Sequence, residues 1–215
     1  MTEPTTIRPR FLLLASSDYV FNPHLHIQGQ IKAASKIIAE YFGEVDAAID
    51  TGKTIQQSLA GRKQIHKSMQ VLIHSARLQG FQLGSKVSKK QMPVGYGKEL
   101  WAKAGRRANN VDRLMNRTTR RRLTDVPDSD YVLGSDRAVM AARYEASRAY
   151  FRGLQDAVSG RNYHKAWITS SMEPCNDCID NEGQGYIPVD QVFESGDIFP
   201  AAHQNCMCGI AMKRG

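Results

Sequence analysis

The chain's four cysteines stand in two tight pairs near its C-terminal end, and a histidine accompanies the second pair. The segments read Cys175-Asn-Asp-Cys178 and His203-Gln-Asn-Cys206-Met-Cys208. Thiolates and an imidazole at such spacings are what one tetrahedral zinc ion requires. A loop-rich tail with little apolar material to bury gains most from a clip of this kind. Cys175 and Cys178 follow Pro174, where a knuckle turn would let both sulfurs reach one ion. His203 and Cys206 offer a second pair. On a strand, Cys206 and Cys208 would face the same side and could serve instead. Two donor sets therefore stay open: Cys175, Cys178, His203 and Cys206, or the same set with Cys208 in place of His203. Four protein donors leave no position for water, so the metal reads as structural rather than catalytic.

The length of 215 residues fits one medium domain or two small ones, and a hydrophobic content of 41% suffices for a packed core. No apolar run approaches the roughly 20 residues that cross a bilayer. The longest, Phe11-Leu-Leu-Leu-Ala15, continues into Ser-Ser-Asp18 without a convincing cleavage site. The expectation is a chain with no membrane partner, in a reducing compartment where cysteines bind metal rather than pair as disulfides.

Helical periodicity dominates the first two thirds. Ile31, Ala34, Ile37, Ile38, Tyr41, Phe42 and Val45 predict a helix over Gln28 to Asp50. Ile55, Leu59, Ile65, Met69, Leu72, Ile73 and Ala76 predict a second over Lys53 to Gln79, closed by Gly80. Their short connection makes an antiparallel hairpin. Residues 81–97 read as a loop, Lys98 to Arg122 as a basic helix, and Asp136 to Val158 as a helix capped by Ser135. Short strands are expected at Lys165–Thr169, within Gly183–Val189 and at Cys206–Met212. The fold class is α+β, mainly α: an N-terminal helical hairpin and long helices with a small C-terminal zinc-bound β unit. Three regions follow: an extended arm over 1–29 that docks on a neighbour, a helical region over 30–134 containing the basic helix 98–122, and residues 135–215 ending in the β unit. His24 and His26, in the arm, are a weak metal signal on their own.

The net charge of +8 is unevenly spread. Residues 98–122 carry nine basic and two acidic side chains, whereas residues 123–215 carry eight basic and thirteen acidic ones. Such a middle segment suits a polyanion, so Lys103, Arg106, Arg107, Arg113, Arg117, Arg120, Arg121 and Arg122 are candidate nucleic-acid contacts. A solvated helix face is the plainer alternative. Only Trp101 interleaves with the arginines, which argues against stacking on single strands. No enzyme motif is present: there is no Walker loop, no His-Glu-x-x-His, no nucleophile elbow, and no histidine between Cys178 and His203 such as a zinc-framed nuclease would place there. Neither an enzymatic activity nor a small-molecule substrate is expected.

The segment Ala142-Arg-Tyr-Glu-Ala-Ser-Arg-Ala-Tyr-Phe-Arg-Gly153 resembles the Arg/Glu-containing helix of the phage head morphogenesis (Mu F-like minor head protein) domain. The order that follows is also similar: Trp167-Ile-Thr169, Cys175-Asn-Asp-Cys178, Gly183, Phe193-Glu-Ser-Gly196, and Pro200-Ala-Ala-His-Gln-Asn-Cys-Met-Cys208. Two departures stand out. The family often has two prolines before the histidine, where this chain has Ala201 and Ala202. It often has Arg between the last cysteines, where this chain has Met207. Residues 135–215 would then be a head-morphogenesis-like domain. The resemblance implies a minor virion protein of a tailed bacteriophage, assembled in the host cytoplasm and placed in the capsid interior or at the portal vertex. It further implies contact with the portal protein or major capsid protein, and with genomic DNA in some members. Within the helix, Glu145 and Arg148 at i, i+3 and Arg143 facing tail acids suggest an ion pair that docks the helix on the zinc unit.

Overall fold

The computed structural model describes residues 18–59, 63–125, 135–171 and 173–215. In chain order the elements are β1 (Tyr19–Phe21), α1 (Pro23–His26), α2 (Gln28–Asp50), α3 (Ile55–Ser58), α4 (Lys63–Ser88), α5 (Tyr96–Asp125), α6 (Ser135–Val158), β2 (Tyr163–Ile168), α7 (Asn176–Gly183), β3 (Ile187–Pro188) and β4 (Gly209–Arg214). The result is a mainly α, α+β architecture with one small antiparallel sheet. No described helix is long and apolar enough to cross a membrane.

The expected periodicity of α2 is realised: Ile31, Ala34, Ile38, Tyr41, Phe42 and Val45 are buried, while Ile37 is left partly exposed. The second helix departs from expectation at both ends. Its N-terminal part is a separate short turn, α3, whose Thr54 and Gln57 form a reciprocal capping box. Its C-terminal end does not stop at Gly80 but runs on to Ser88. The reason lies in tertiary packing. A Cβ at Gly80 would sit 1.9 Å from the Tyr150 carbonyl oxygen, and a Cβ at Gly153 would sit 1.9 Å from that of Arg77. Glycine here lets α4 and α6 touch backbone to backbone; it does not end the helix. Residues 81–88, read as loop from their Gly and Ser content, are therefore helical, and Phe81 is buried against this crossing. The turn after α4 uses Lys89 at φ 58°, and the chain re-enters a helix at Tyr96 rather than Lys98.

The sheet order is β1-β4-β2-β3, with every pair antiparallel. Trp167 faces Ile210 across β2 and β4, and Phe21 of β1 also pairs with Ile210. Within the expected extended arm, residues 19–21 are an edge strand of the chain's own sheet, and Pro23–His26 and the start of α2 at Gln28 are helical. Residues 1–17 of the arm lie outside the described residues. The buried cluster runs without a break from Phe21 through the helices to Met212. Phe151 of α6 stacks on Phe199 with ring centroids 5.9 Å apart, and the Tyr163 hydroxyl donates to the Val87 carbonyl at 3.0 Å. These contacts seat the sheet and its loops on the α4–α6 pair.

Candidate metal centre

Two segments bring the donors together. Cys175 is the N-cap residue of α7, in extended conformation, and Cys178 lies in the first turn. The expected knuckle is therefore a helix N-terminus, whose positive dipole end faces the donors and favours anionic ligands. The second segment is the loop before β4. The Cys206 amide donates to the His203 carbonyl at 3.2 Å, and Asn205 takes φ 65°, a value Asn tolerates better than most residues. Cys206 and Cys208 precede the strand instead of lying on it, since β4 begins at Gly209. That glycine is required by space: a Cβ would approach the Phe21 carbonyl oxygen to 2.9 Å.

The donor atoms form two overlapping triads, Cys175–Cys178–His203 and Cys178–Cys206–Cys208. His203 Nε2 is 3.1 Å from Cys175 Sγ and 3.6 Å from Cys178 Sγ; Cys178 and Cys206 sulfurs are 3.9 Å apart. A tetrahedral zinc with bonds of about 2.3 Å to sulfur has sulfur–sulfur edges of about 3.8 Å, so these separations suit one ion. The tautomer of His203 is also suitable. A carbonyl only accepts, so Nδ1 must donate to the Gln204 oxygen 2.7 Å away, which leaves the Nε2 lone pair aimed at the cysteines. Cys178 belongs to both triads. The first donor set drawn from the sequence is thus the first triad with Cys206 added, and the second is the second triad with Cys175 added.

Burial grades across the cluster. Cys175 and His203 are exposed, whereas Cys178, Cys206 and Cys208 are buried. Without a cation the buried trio divides its charge unequally. Hydrogen bonds from the Cys178 and Cys208 thiols hold Cys206 far below the ordinary thiol range. Hydrogen bonding to Cys206 and Cys208, reinforced by burial, pushes Cys178 well above it. Three sulfurs sharing protons in this way become three thiolates only when a metal replaces the protons. The buried Trp167 indole N–H finds no hydrogen-bond acceptor among the described residues, though it stands near Cys208. A metal-bound sulfur would give this N–H its acceptor.

The surrounding lobe holds the donors in place. Glu182 of α7 receives the Thr169 amide at 3.0 Å and its hydroxyl at 3.0 and 3.1 Å. Buried Asn181 donates to Ser195 Oγ at 2.9 Å. Lys165 is fully buried; its Nζ donates to the Val189 and Ile198 carbonyls at 2.8 and 2.6 Å and lies 4.4 Å from the Phe199 ring centroid. Burial pushes its pKa down to about 7. Sequence reading did not single out Lys165, because a lysine in an alternating strand gives no sign that it points inward.

His24 is not placed as a ligand. Its Nε2 lies 3.4 Å from the Cys206 carbonyl oxygen and donates to it, bracing the ligand loop from the N-terminal segment. Burial lowers its pKa, which keeps it neutral. His26 instead stacks on Tyr150 with centroids 5.9 Å apart. The expected ion pair between α6 and the tail is also corrected. Glu145 is buried and receives Arg107 Nε at 2.8 Å and Nη2 at 2.5 Å, so it fastens α5 to α6.

The basic helix divides accordingly. Arg107 is committed to Glu145, Lys103 bridges to Glu99 at 2.5 Å, and Arg121 to Asp125 at 3.4 Å. Arg122 is close enough to Arg137 for the two charges to oppose each other. Arg106, Arg113, Arg117 and Arg120 are exposed and form no ion pair among the described residues. They share one face, opposite Ala104, Ala108, Val111 and Met115, which are buried.

Fold and site together define a mainly helical protein whose C-terminal sheet carries a Cys/His cluster of metal-binding type. Compared with protein-family models, curated proteins and solved structures, the chain has no match in any of the three.

Proposed function

We propose that this chain is a minor structural protein of a tailed bacteriophage, acting in head morphogenesis at or near the portal vertex, with a structural zinc ion in its C-terminal lobe. The observation that carries the reading is the convergence of Cys175, Cys178, His203, Cys206 and Cys208, in an order and spacing that resemble the head morphogenesis domain. Zinc is the metal that suits a soft sulfur and imidazole donor set with tetrahedral edges. Its role is to fix the fold of the tail; four protein donors leave no site for catalysis. The partners that fit are the portal protein or the major capsid protein, and the chain would reside in the virion, at the capsid interior or the vertex.

A second reading has its own observation. Arg106, Arg113, Arg117 and Arg120 present unpaired guanidinium groups along one face of α5. This favours a zinc-containing nucleic-acid-binding accessory or regulatory protein, or a head protein that also touches packaged DNA. Quantitative mass spectrometry of purified particles from the same genome, normalised to the portal protein, separates the two. A low, fixed ratio to the portal ring is expected for the head protein. Absence from particles would defeat it and leave the accessory reading, in which duplex DNA binding falls steeply with salt. Elemental analysis of the same preparation should give one zinc per chain.

A further inference from the structure

Residues of α4, α5 and α6 enclose a cleft of about 310 Å³. Its lining carries six cations: Arg77 from α4, Lys103, Arg106 and Arg107 from α5, and Arg148 and Arg152 from α6. Glu145 is the one carboxylate among the lining residues. Arg77 is answered by Asp156 at 2.8 Å, Lys103 by Glu99 and Arg107 by Glu145. Arg106, Arg148 and Arg152 have no carboxylate partner among the described residues. Arg148 is held in position by its own helix, where its Nη1 donates to the Tyr144 hydroxyl at 2.5 Å. Arg148 and Arg152 also border the loop at 196–201, where Asp197 lies, yet neither is within ion-pair distance of it.

Converging guanidinium groups on rigid helices repel one another unless an anion stands between them. Burial, and then the charges of Arg148, Arg77 and Arg107, make the protonated state of Arg152 less favourable than usual. A fold does not gain stability from such an arrangement, whereas an oxyanion does. The guanidinium fork offers two parallel donors to a phosphate or sulfate, and three forks from two helices define a position in space rather than a diffuse field. We infer that this cleft is a binding site for a phosphate-class oxyanion, held chiefly by Arg106, Arg148 and Arg152. The inference is independent of the role proposed above and of the metal. Arg106 belongs to both the cleft and the exposed arginine face of α5, so a phosphate seated here is continuous with Arg113 and Arg117.

Inorganic phosphate titrated into the full-length chain at low salt, followed through the arginine Nε–H resonances, tests the site. Saturable shifts are expected, and the Arg148→Gln/Arg152→Gln double variant should bind at least about tenfold more weakly, the usual consequence of losing a charge-assisted hydrogen bond. Arg113→Gln/Arg117→Gln removes the same charge from the helix face alone and should leave phosphate binding within about twofold. Arg152→Lys, which retains charge and stem but removes the fork, should weaken binding even if the double variant fails to fold. No saturable shift in the native chain, or equal losses in the cleft and face variants, overturns the proposal. A short DNA duplex distinguishes the source. If it displaces phosphate, the group arrives as part of a nucleic acid; if it binds without displacement, the site takes the free ion.

Discussion

The α4–α6 crossing and the C-terminal lobe with the Cys/His cluster are stabilised in opposite ways. At the crossing, Gly80, Gly84 and Gly153 remove side chains so that two long helices meet along their backbones. Apart from the Arg77–Asp156 ion pair at 2.8 Å, shape specifies the contact, and any added atom is resisted over a wide area. In the lobe, strands of two to six residues and an eight-residue helix cannot bury enough surface to define themselves. There a few point attachments do the specifying: the Cys/His cluster, the Lys165 ammonium and the Asn181 amide. One region is determined by the absence of atoms, the other by single atoms in particular places. The first should fail all at once and the second one anchor at a time.

Removing the shared donor is the sharpest way to break the lobe without the crossing. Cys178→Ser should abolish metal retention and forfeit most of a binding free energy on the order of 10 kcal/mol. Limited proteolysis should then cut after Trp167 while α2, α4 and α6 persist by circular dichroism. A strong chelator should reproduce this, entering where Cys175 and His203 are exposed. A protease-resistant tail without metal would count against the comparison. Breaking the crossing comes next. Gly153→Ala places a Cβ against the Arg77 carbonyl and should cost about 3 kcal/mol or more, read as a lower denaturation midpoint for the entire chain. If metal content and helix content changed little, the crossing would be softer than its geometry implies.

The smallest effect concerns Lys165. Its folded-state pKa of about 7 lies below its ordinary value of 10.5. Between these values the unfolded chain holds a proton that the folded chain lacks, so stability should rise with pH from about 7 toward 10 and be flat in this respect below 7. Denaturant titrations of Lys165→Met should show a shallower slope over that window than the native chain. Equal slopes would mean that the two carbonyls keep the ammonium charged.

Sequence made the cluster legible because cysteines and a histidine at short spacing are a local pattern of metal-ligand type. It also located β2, β3 and β4 within a few residues, since alternation and turn residues are local signals. It failed where a residue's meaning was tertiary. Gly80 carries the local signature of a helix end, and only the path of α6 shows that it is a contact. Glu145 was matched with Arg148 at helical spacing, yet its partner, Arg107, lies on another helix. The basic residues of 98–122 looked equivalent in sequence; Lys103, Arg107 and Arg121 are engaged in ion pairs with carboxylates, and only the structure separates these from the row that forms none among the described residues. The contribution of His24 to the Cys206 loop had no signal beyond its proximity to a proline.

The pairing of Tyr19–Phe21 with Ile210–Met212 has a temporal consequence. The earlier-made strand must wait for the later one, with almost the whole described chain as the intervening loop. During that interval the helices can assemble through their nearer contacts, while the edge of the sheet has no partner. The C-terminal lobe is thus expected to close last, after the helices have assembled, and closing it also captures the Tyr19–Phe21 segment.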